Sequence, residues 1–382
     1  MDFTFSEEQE MFRSMFRDFS AKEVAPKAEE IDHQEKPPLD ILRKAASQGF
    51  LGATLPEDYV GAALDYVSYA LLIETLAHDC MSVAVTLATH VSLVAMSILE
   101  TGTEAQKEEW LPPLAAGEMI GAFALTEPDA GSDAAALQAR ATPDGDEVVL
   151  EGVKTWVANG GIAGLFLVFA QGPQGVEAFL VPQDTPGLTV GYREPTLGLR
   201  SVPFNTIYLE GCRVPVANRL GEPGKGWVIA QRAQDRMAVA LAAAGLGVAR
   251  AAVEVAAQFA TERVQFGVPI AQKQAIQSYV AEAHVEVEAL RYLVYHAAWL
   301  VDQGGEFSFD ASVVKNFSAR VARSVTNRML QVLGGYGYME DYPMARKYRD
   351  ARALGIIGGP TELYHVRVAQ RIFSEWNVEI TP

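Results

Sequence analysis

Asp235 lies where a carboxylate is costly. At helical spacing it shares one face with Val228, Gln231, Ala238, Val239 and Ala242. Removing such a group from water raises its pKa and makes it a stronger base toward a weakly acidic C–H. The same spacing allows a plainer role, an ion pair with Arg232 one turn earlier. Other residues suit a ligand. The stretch Ala124-Leu-Thr-Glu-Pro-Asp-Ala-Gly-Ser-Asp133 starts as a strand and ends in a turn of small residues, where Gly131 and Ser132 leave N–H and hydroxyl groups free to face a bound molecule. Taken alone, it reads equally as a strand running into a loop. Trp156 offers a flat apolar surface, and its plain alternative is a core aromatic. Arg263, with Gln265, Phe266 and Gly267, reads on its own as a helix-end cluster making surface salt bridges.

Three blocks of pattern must position these groups. From Ser6, which can cap a first turn holding Glu7 and Glu8, to about Gly117 the apolar period is helical, with Pro112 and Pro113 expected to break a helix. After Glu118 come short β-type runs, 147–150, 165–169, 178–181 and 206–209, separated by Gly, Pro and Asp turns, which predict an antiparallel β domain. Helices return after Gly221-Glu-Pro-Gly-Lys-Gly226, the clearest junction, and continue to about Trp376. The expected organisation is α+β: an N-terminal helical domain over 1–119, a middle β domain over 120–225 and a C-terminal helical domain over 226–382.

The 382 residues carry a net charge of −17, which repels nucleic acid and anionic membrane surfaces, so neither is an expected partner. An anionic ligand must therefore meet a local basic patch. Cys80 and Cys212 are far apart in sequence and form no disulfide framework or metal motif, which fits a reducing cytoplasm. Met1 to Glu10 bears acids where a secretory signal would bear basic residues, so no targeting segment is expected. Met237 to Ala249 is apolar but too short to span a bilayer and suits a buried helix.

The Ala124–Asp133 stretch resembles a signature of the acyl-CoA dehydrogenase family, and Lys154-Thr-Trp-Val-Ala-Asn-Gly160 resembles a second at the expected distance. Arg263-Val-Gln-Phe-Gly267 with Gln274, and Gln331-Val-Leu-Gly-Gly-Tyr-Gly337 with Arg349-Asp350, extend the resemblance over nearly the whole chain. It implies FAD as cofactor, an acyl-CoA substrate, an electron-transfer flavoprotein as acceptor, and a homotetramer built as a dimer of dimers. By this resemblance Phe123, Leu125, Thr126, Gly131 and Ser132 meet the flavin, Ser132 also the CoA portion of substrate, and Trp156 with Val157 and Ala158 covers the ring. Arg263, Gln265, Phe266, Gln274, Gln331, Gly334 and Gly335 would hold the pyrophosphate and adenosine, with Thr361 and Glu362 on the cofactor side. Val85, Thr89 and Gly358 would border the acyl group. No metal is implied.

Two departures matter. Ala158 stands where the family commonly has a hydroxyl near flavin N5, and Gly358 stands where many members carry their catalytic Glu. A subgroup carries its Glu on an earlier helix directly before an Arg that meets the substrate or pocket rim. The resemblance aligns Asp235-Arg236 with that dipeptide and makes Asp235 the expected base, Arg236 a substrate contact. Glu127, His90 and Glu362 are lesser rivals. The expected reaction is α,β-dehydrogenation of an acyl-CoA to the 2,3-enoyl-CoA. Two alternatives stay open: a flavin oxidase, monooxygenase or acyl-carrier-protein dehydrogenase of the same fold, and a non-catalytic flavin-binding protein.

Overall fold

The computed structural model describes residues 4–376. The first block is helical: α1 Glu7–Phe19, α2 Ala28–Gln34, α3 Leu39–Ser47, α4 Tyr66–Asp79, α5 Met81–Ala88, α6 Met96–Thr101 and α7 Glu104–Ala115, with a π-helical turn Thr89–Ala95 joining α5 to α6. Ser6 caps α1 as expected: its hydroxyl accepts from Gln9 N–H while the Gln9 side chain accepts from Ser6 N–H. Pro112 and Pro113 do not break a helix; they lie inside the end of α7. Proline lacks a donor but keeps its acceptor, and their carbonyls receive the N–H groups of Ala116, Glu118 and Met119 that close the helix.

The middle block is a sheet of eight strands: β1 Gly121–Ala124, β2 Arg140–Asp144, β3 Glu147–Val157, β4 Leu165–Gly172, β5 Gly175–Pro182, β6 Leu188–Arg193, β7 Asn205–Pro215 and β8 Arg219–Leu220. The order is β6-β7-β3-β2-β4-β5-β8, with β1 beside β4. Most pairs are antiparallel, but β1 runs parallel to β4, and β2 meets β4 in parallel at Arg140. The expected antiparallel β domain is present with a parallel pair added, because the chain reaches β4 from β1 by a crossover through β2 and β3 and not by a hairpin. Both faces of β4 are buried, and its alternation sorts them: Leu165, Leu167 and Phe169 join the core shared with the helices, while Phe166, Val168 and Ala170 join a separate core within the β layer.

The last block holds α8 Gly226–Glu262, a small hairpin of β9 Val264–Gln265 and β10 Val268–Pro269, α9 Gln274–Asp302, α10 Ser308–Leu333, α11 Gly335–Tyr338, α12 Pro343–Ala353 and α13 Thr361–Ser374. Every residue of α8 from Asp235 to Ala249 is buried. Small residues there bring neighbouring helices close. A Cβ on Gly247 would lie 2.1 Å from the Glu74 carbonyl of α4, so only glycine permits that crossing. The stretches 81–101 and 226–262 are long and apolar enough to cross a membrane, yet most of each is packed inside the protein.

Candidate active site

β1 delivers its C-terminal end to the loop that resembled a signature. Phe123 packs on Phe169 at 4.8 Å, Leu125 is buried, and the Thr126 carbonyl accepts from Thr155 N–H, which ties this loop to the end of β3. A buried ion pair anchors it. Lys154 Nζ donates to Glu127 Oε1 at 2.7 Å and to the Leu125 carbonyl at 3.1 Å, while the Glu127 carboxylate also accepts from Gln138 and Ala139 N–H. Glu127 is thus a clamp and not a base. Beyond it Gly131 and Ser132 stand exposed, with open space where a Gly131 side chain would project.

Trp156 sits at the irregularity where β3 shifts register against β7, and its φ is +53°. An L-residue in this left-handed region costs about 1–2 kcal/mol, so the surroundings hold it there. Its indole is 58% exposed, not a core aromatic. Val157 is buried and Ala158 half-buried behind it. Asn159 fixes this corner by donating to the Thr86 and Gly121 carbonyls at 2.9 and 3.2 Å.

The second ligand-facing set forms a hollow of about 1000 Å³ between the β9–β10 hairpin and α11. Arg263, Gln265, Phe266, Gly335 and Tyr336 line it, and Lys273 adds a second cation. Arg263 stacks over the Tyr336 ring at 5.2 Å, and among the described residues no carboxylate pairs with it. That leaves its charge for an anion such as a pyrophosphate. Gln274, Gln331 and Gly334 sit next in sequence to its lining residues without lining it, and Thr361 and Glu362 at the start of α13 do not line it either. Thr361 instead donates to Glu362, which is exposed.

The expected base region is arranged differently from the sequence reading. Asp235 is buried, but both its oxygens are engaged: Ser308 Oγ donates to Oδ2 at 2.7 Å and Arg367 pairs with Oδ1 at 3.1 Å. Burial raises its carboxyl, and Ser308 and Arg367 pull part of that back. Its predicted local partner Arg232 points elsewhere, over the Phe307 ring and toward Glu306. A Cβ built on Gly358 would meet Leu241 Cδ1 at 2.8 Å, Met237 at 3.9 Å and Lys315 Cε at 4.0 Å. Of the α8 side chains, Leu241 and Met237 therefore lie nearest to Gly358.

Arg236, the expected substrate contact, is 1% exposed and its guanidinium donates inside the helical block, to the Ser92 carbonyl at 3.1 Å, Ser97 Oγ at 2.9 Å and Glu100. Val85 and Thr89 are fully buried, and among the described residues the Thr89 hydroxyl has no hydrogen-bond partner. His90 accepts from Gly121 N–H through Nδ1, and burial pushes it down to about 4, which keeps it neutral and structural.

Gly358 has φ +67°. Gly358→Ala is expected to lower folding stability by about 1–2 kcal/mol through the left-handed backbone, with the Leu241 contact adding to it. Chemical denaturation reads this directly, and an unchanged midpoint would contradict it. A glutamate cannot simply be returned to this position.

Family models describing the N-terminal, middle and C-terminal domains of acyl-CoA dehydrogenase match residues 6–118, 122–212 and 224–373. The chain belongs to the acyl-CoA dehydrogenase family. It is 39% identical to the short-chain specific acyl-CoA dehydrogenase of Clostridium acetobutylicum, over 98% of this chain and all of that one. Among solved structures it is similar to butyryl-CoA dehydrogenase from Megasphaera elsdenii, with a TM-score of 0.95, 38% identity, and coverage of 98% of this chain and 100% of that chain. It also matches a chain of a structure described as the electron transferring flavoprotein of Acidaminococcus fermentans, with a TM-score of 0.96, 38% identity, and coverage of 97% and 99%. Like other acyl-CoA dehydrogenases it is an FAD-dependent oxidoreductase acting on acyl-CoA. The residues present fit FAD: an exposed indole beside an open small-residue loop suits the flat ring, and an unpaired arginine in a large hollow suits the phosphates.

Sequence reasoning missed three groups: the Lys154–Glu127 clamp, Lys315 and Arg367. Lys154 lay inside a quoted motif, yet nothing in its spacing marked it as the partner of Glu127, 27 residues away.

Proposed function

We propose that this chain desaturates a short-chain acyl-CoA between Cα and Cβ in the cytoplasm, works as a homotetramer, and passes its electrons to an electron-transfer flavoprotein. The observation that carries the reading is Trp156, a strained and exposed indole held beside the Phe123–Thr126 strand end, where it can cover a flat ring and keep water out. FAD, when bound, supplies the two-electron acceptor for the β-hydrogen. Arg263 and Lys273 would hold its phosphates, and Ser132 and Gly131 leave backbone and hydroxyl donors for the ring or the CoA portion of the substrate.

The preference for a short acyl group follows the names of the relatives, a short-chain specific dehydrogenase and a butyryl-CoA dehydrogenase. Val285, Tyr292 and Trp299 on α9 recur every seven residues and are all exposed, as is Phe266 at 93%. An apolar stripe of that kind supports burial against further copies of the chain. Asp235 is the base of this reading: burial raises its carboxyl despite the Ser308 and Arg367 partners, which favours proton uptake. Anaerobic bleaching of the flavin with butyryl-, octanoyl- and palmitoyl-CoA tests the reading. Butyryl-CoA should reduce it fastest, and a flavin that none of the three reduces would sink the proposal.

A further inference from the structure

We propose that Arg367, reaching from α13, is the positioning residue of this enzyme's base: together with Ser308 it fixes the direction and the charge of the Asp235 carboxylate. The inference rests on the reading above, in which Asp235 takes the α-proton. Three helices meet at this group. Asp235 comes from α8, Ser308 from the first turn of α10 and Arg367 from the middle of α13. Ser308 Oγ donates to Oδ2 at 2.7 Å, and Arg367 Nη1 donates to Oδ1 at 3.1 Å. A carboxylate has about four lone-pair sites, so one contact on each oxygen fixes the plane of the group and leaves sites free to receive a proton.

The arginine contact has the features of an adjustable support. It is a single-point contact, not the bidentate fork that binds guanidinium and carboxylate most firmly. The Arg367 side chain is 34% exposed and that of Asp235 7%, so the nearly enclosed carboxylate is one side chain away from solvent. The guanidinium also lies 5.4 Å from the Tyr364 ring, and the Tyr364 hydroxyl donates to the Gly358 carbonyl. The support of the base is thereby joined to the turn expected to border the acyl group.

The charges around Asp235 leave this work to Arg367. On α8 itself, Arg232 lies over the Phe307 ring and 3.9 Å from Glu306, the acid just before α10. On α13, Tyr364 is neutral, because burial raises its phenol. Among the described residues Arg367 is the one cation within ion-pair distance of Asp235. Burial pushes the Asp235 carboxyl up, Ser308 and Arg367 pull it back, and the more distant Arg232 and Glu306 oppose each other. Without Arg367 the carboxyl must rise further. A base acts only when deprotonated, so proton removal should then need a higher pH. The step balances within the chain and its substrate: the α C–H bond breaks, its proton forms an O–H bond on Asp235, the carbon's electron pair moves into the thioester as an enolate, and Arg367 keeps its charge throughout.

The experiment follows exchange of the α-hydrogens of butyryl-CoA with deuterated water by mass spectrometry, on the anaerobic FAD-loaded enzyme, as a function of pH. Wild-type exchange should rise with pH and level off as the carboxyl deprotonates. Arg367→Met should move the midpoint of that rise upward by about one to three pH units, the shift that a neighbouring cation produces in a carboxylate. Arg367→Lys returns the charge and should recover most of the displacement, which a loss of packing alone would not show. Ser308→Ala removes a donor to the charged form and should move the midpoint the same way. A folded Arg367→Met with the wild-type midpoint would overturn the proposal, as would equal displacement in the methionine and lysine variants. If Arg367→Met does not fold, Ser308→Ala decides, and a wild-type midpoint there overturns the proposal as well. Wild-type exchange in Asp235→Asn, or no exchange in the wild type, would instead overturn the reading of Asp235 as base, and the proposal with it.

Discussion

Lys154→Met is expected to lose about 3–5 kcal/mol of folding stability and, with it, retention of FAD, because it breaks a buried pair by removing one partner. Lys154 is fully buried on β3 and is the cation that answers Glu127. Without it, a carboxylate that also accepts two backbone N–H groups is left in the interior without counter-charge. Burial works against the charged form of Glu127, but Lys154 and the two N–H donors outweigh it and hold the carboxyl below its ordinary value. A carboxyl held low contributes stability above its unfolded pKa, and that contribution is lost as pH falls through the lowered folded value. In Lys154→Met the carboxyl rises instead, so the deficit should narrow as pH falls through the carboxylate range. Denaturant melts at pH 7 and pH 4.5, with flavin absorbance of the purified protein, check both claims. A deficit that is equal at the two pH values would show that the charge of Glu127 is not what the variant exposes. The functional loss should follow from geometry: the clamp fixes the chain between Leu125 and Ala139, which presents Gly131 and Ser132.

The order of helical, β and helical blocks was legible because side-chain period is a local property, repeated many times in each block. The ligand-facing loop, Trp156 and the Arg263 segment were legible because short motifs with small residues at fixed offsets carry backbone requirements in their composition. The surroundings of the expected base were not, because its assignment rested on one dipeptide, and helix period alone does not say that Ser308 and Arg367 from α10 and α13 would engage the Asp235 carboxylate. Lys315 and Arg367 were invisible for a different reason. A lysine or arginine on an amphipathic helix reads as solvated surface, and only packing of α8, α10 and α13 reveals that Lys315 is enclosed and that Arg367 is turned onto Asp235. The parallel pairing of β1 with β4 was hidden in the same way, since pairing partners are set by topology and not by strand pattern.

Arg236→Met separates the two roles that sequence and geometry assign to one residue. If the guanidinium met substrate, the change would raise KM for acyl-CoA and leave the fold alone. Its surroundings predict the reverse. The side chain ties α8 to the π-helical turn and α6 through the Ser92 carbonyl, Ser97 Oγ and Glu100, and the Tyr66 hydroxyl donates to the Arg236 backbone carbonyl from α4. Methionine fills most of the volume of the stem but leaves the Ser92 carbonyl and Ser97 hydroxyl without their donor and Glu100 without its cation. Glu100 is partly exposed and recovers some hydration, which places the loss near the lower end of the range for a broken buried pair, about 3 kcal/mol. Thermal and denaturant melts should register that loss, while KM for butyryl-CoA, measured well below the lowered melting temperature, should stay within about threefold of wild type, a limit of roughly 0.7 kcal/mol in binding. A variant of wild-type stability with KM raised tenfold would return Arg236 to the substrate. The opposite result would leave α8 with one buried cation for architecture and pass recognition of the anionic substrate to residues on other elements, as the net charge of −17 requires of any site that holds CoA.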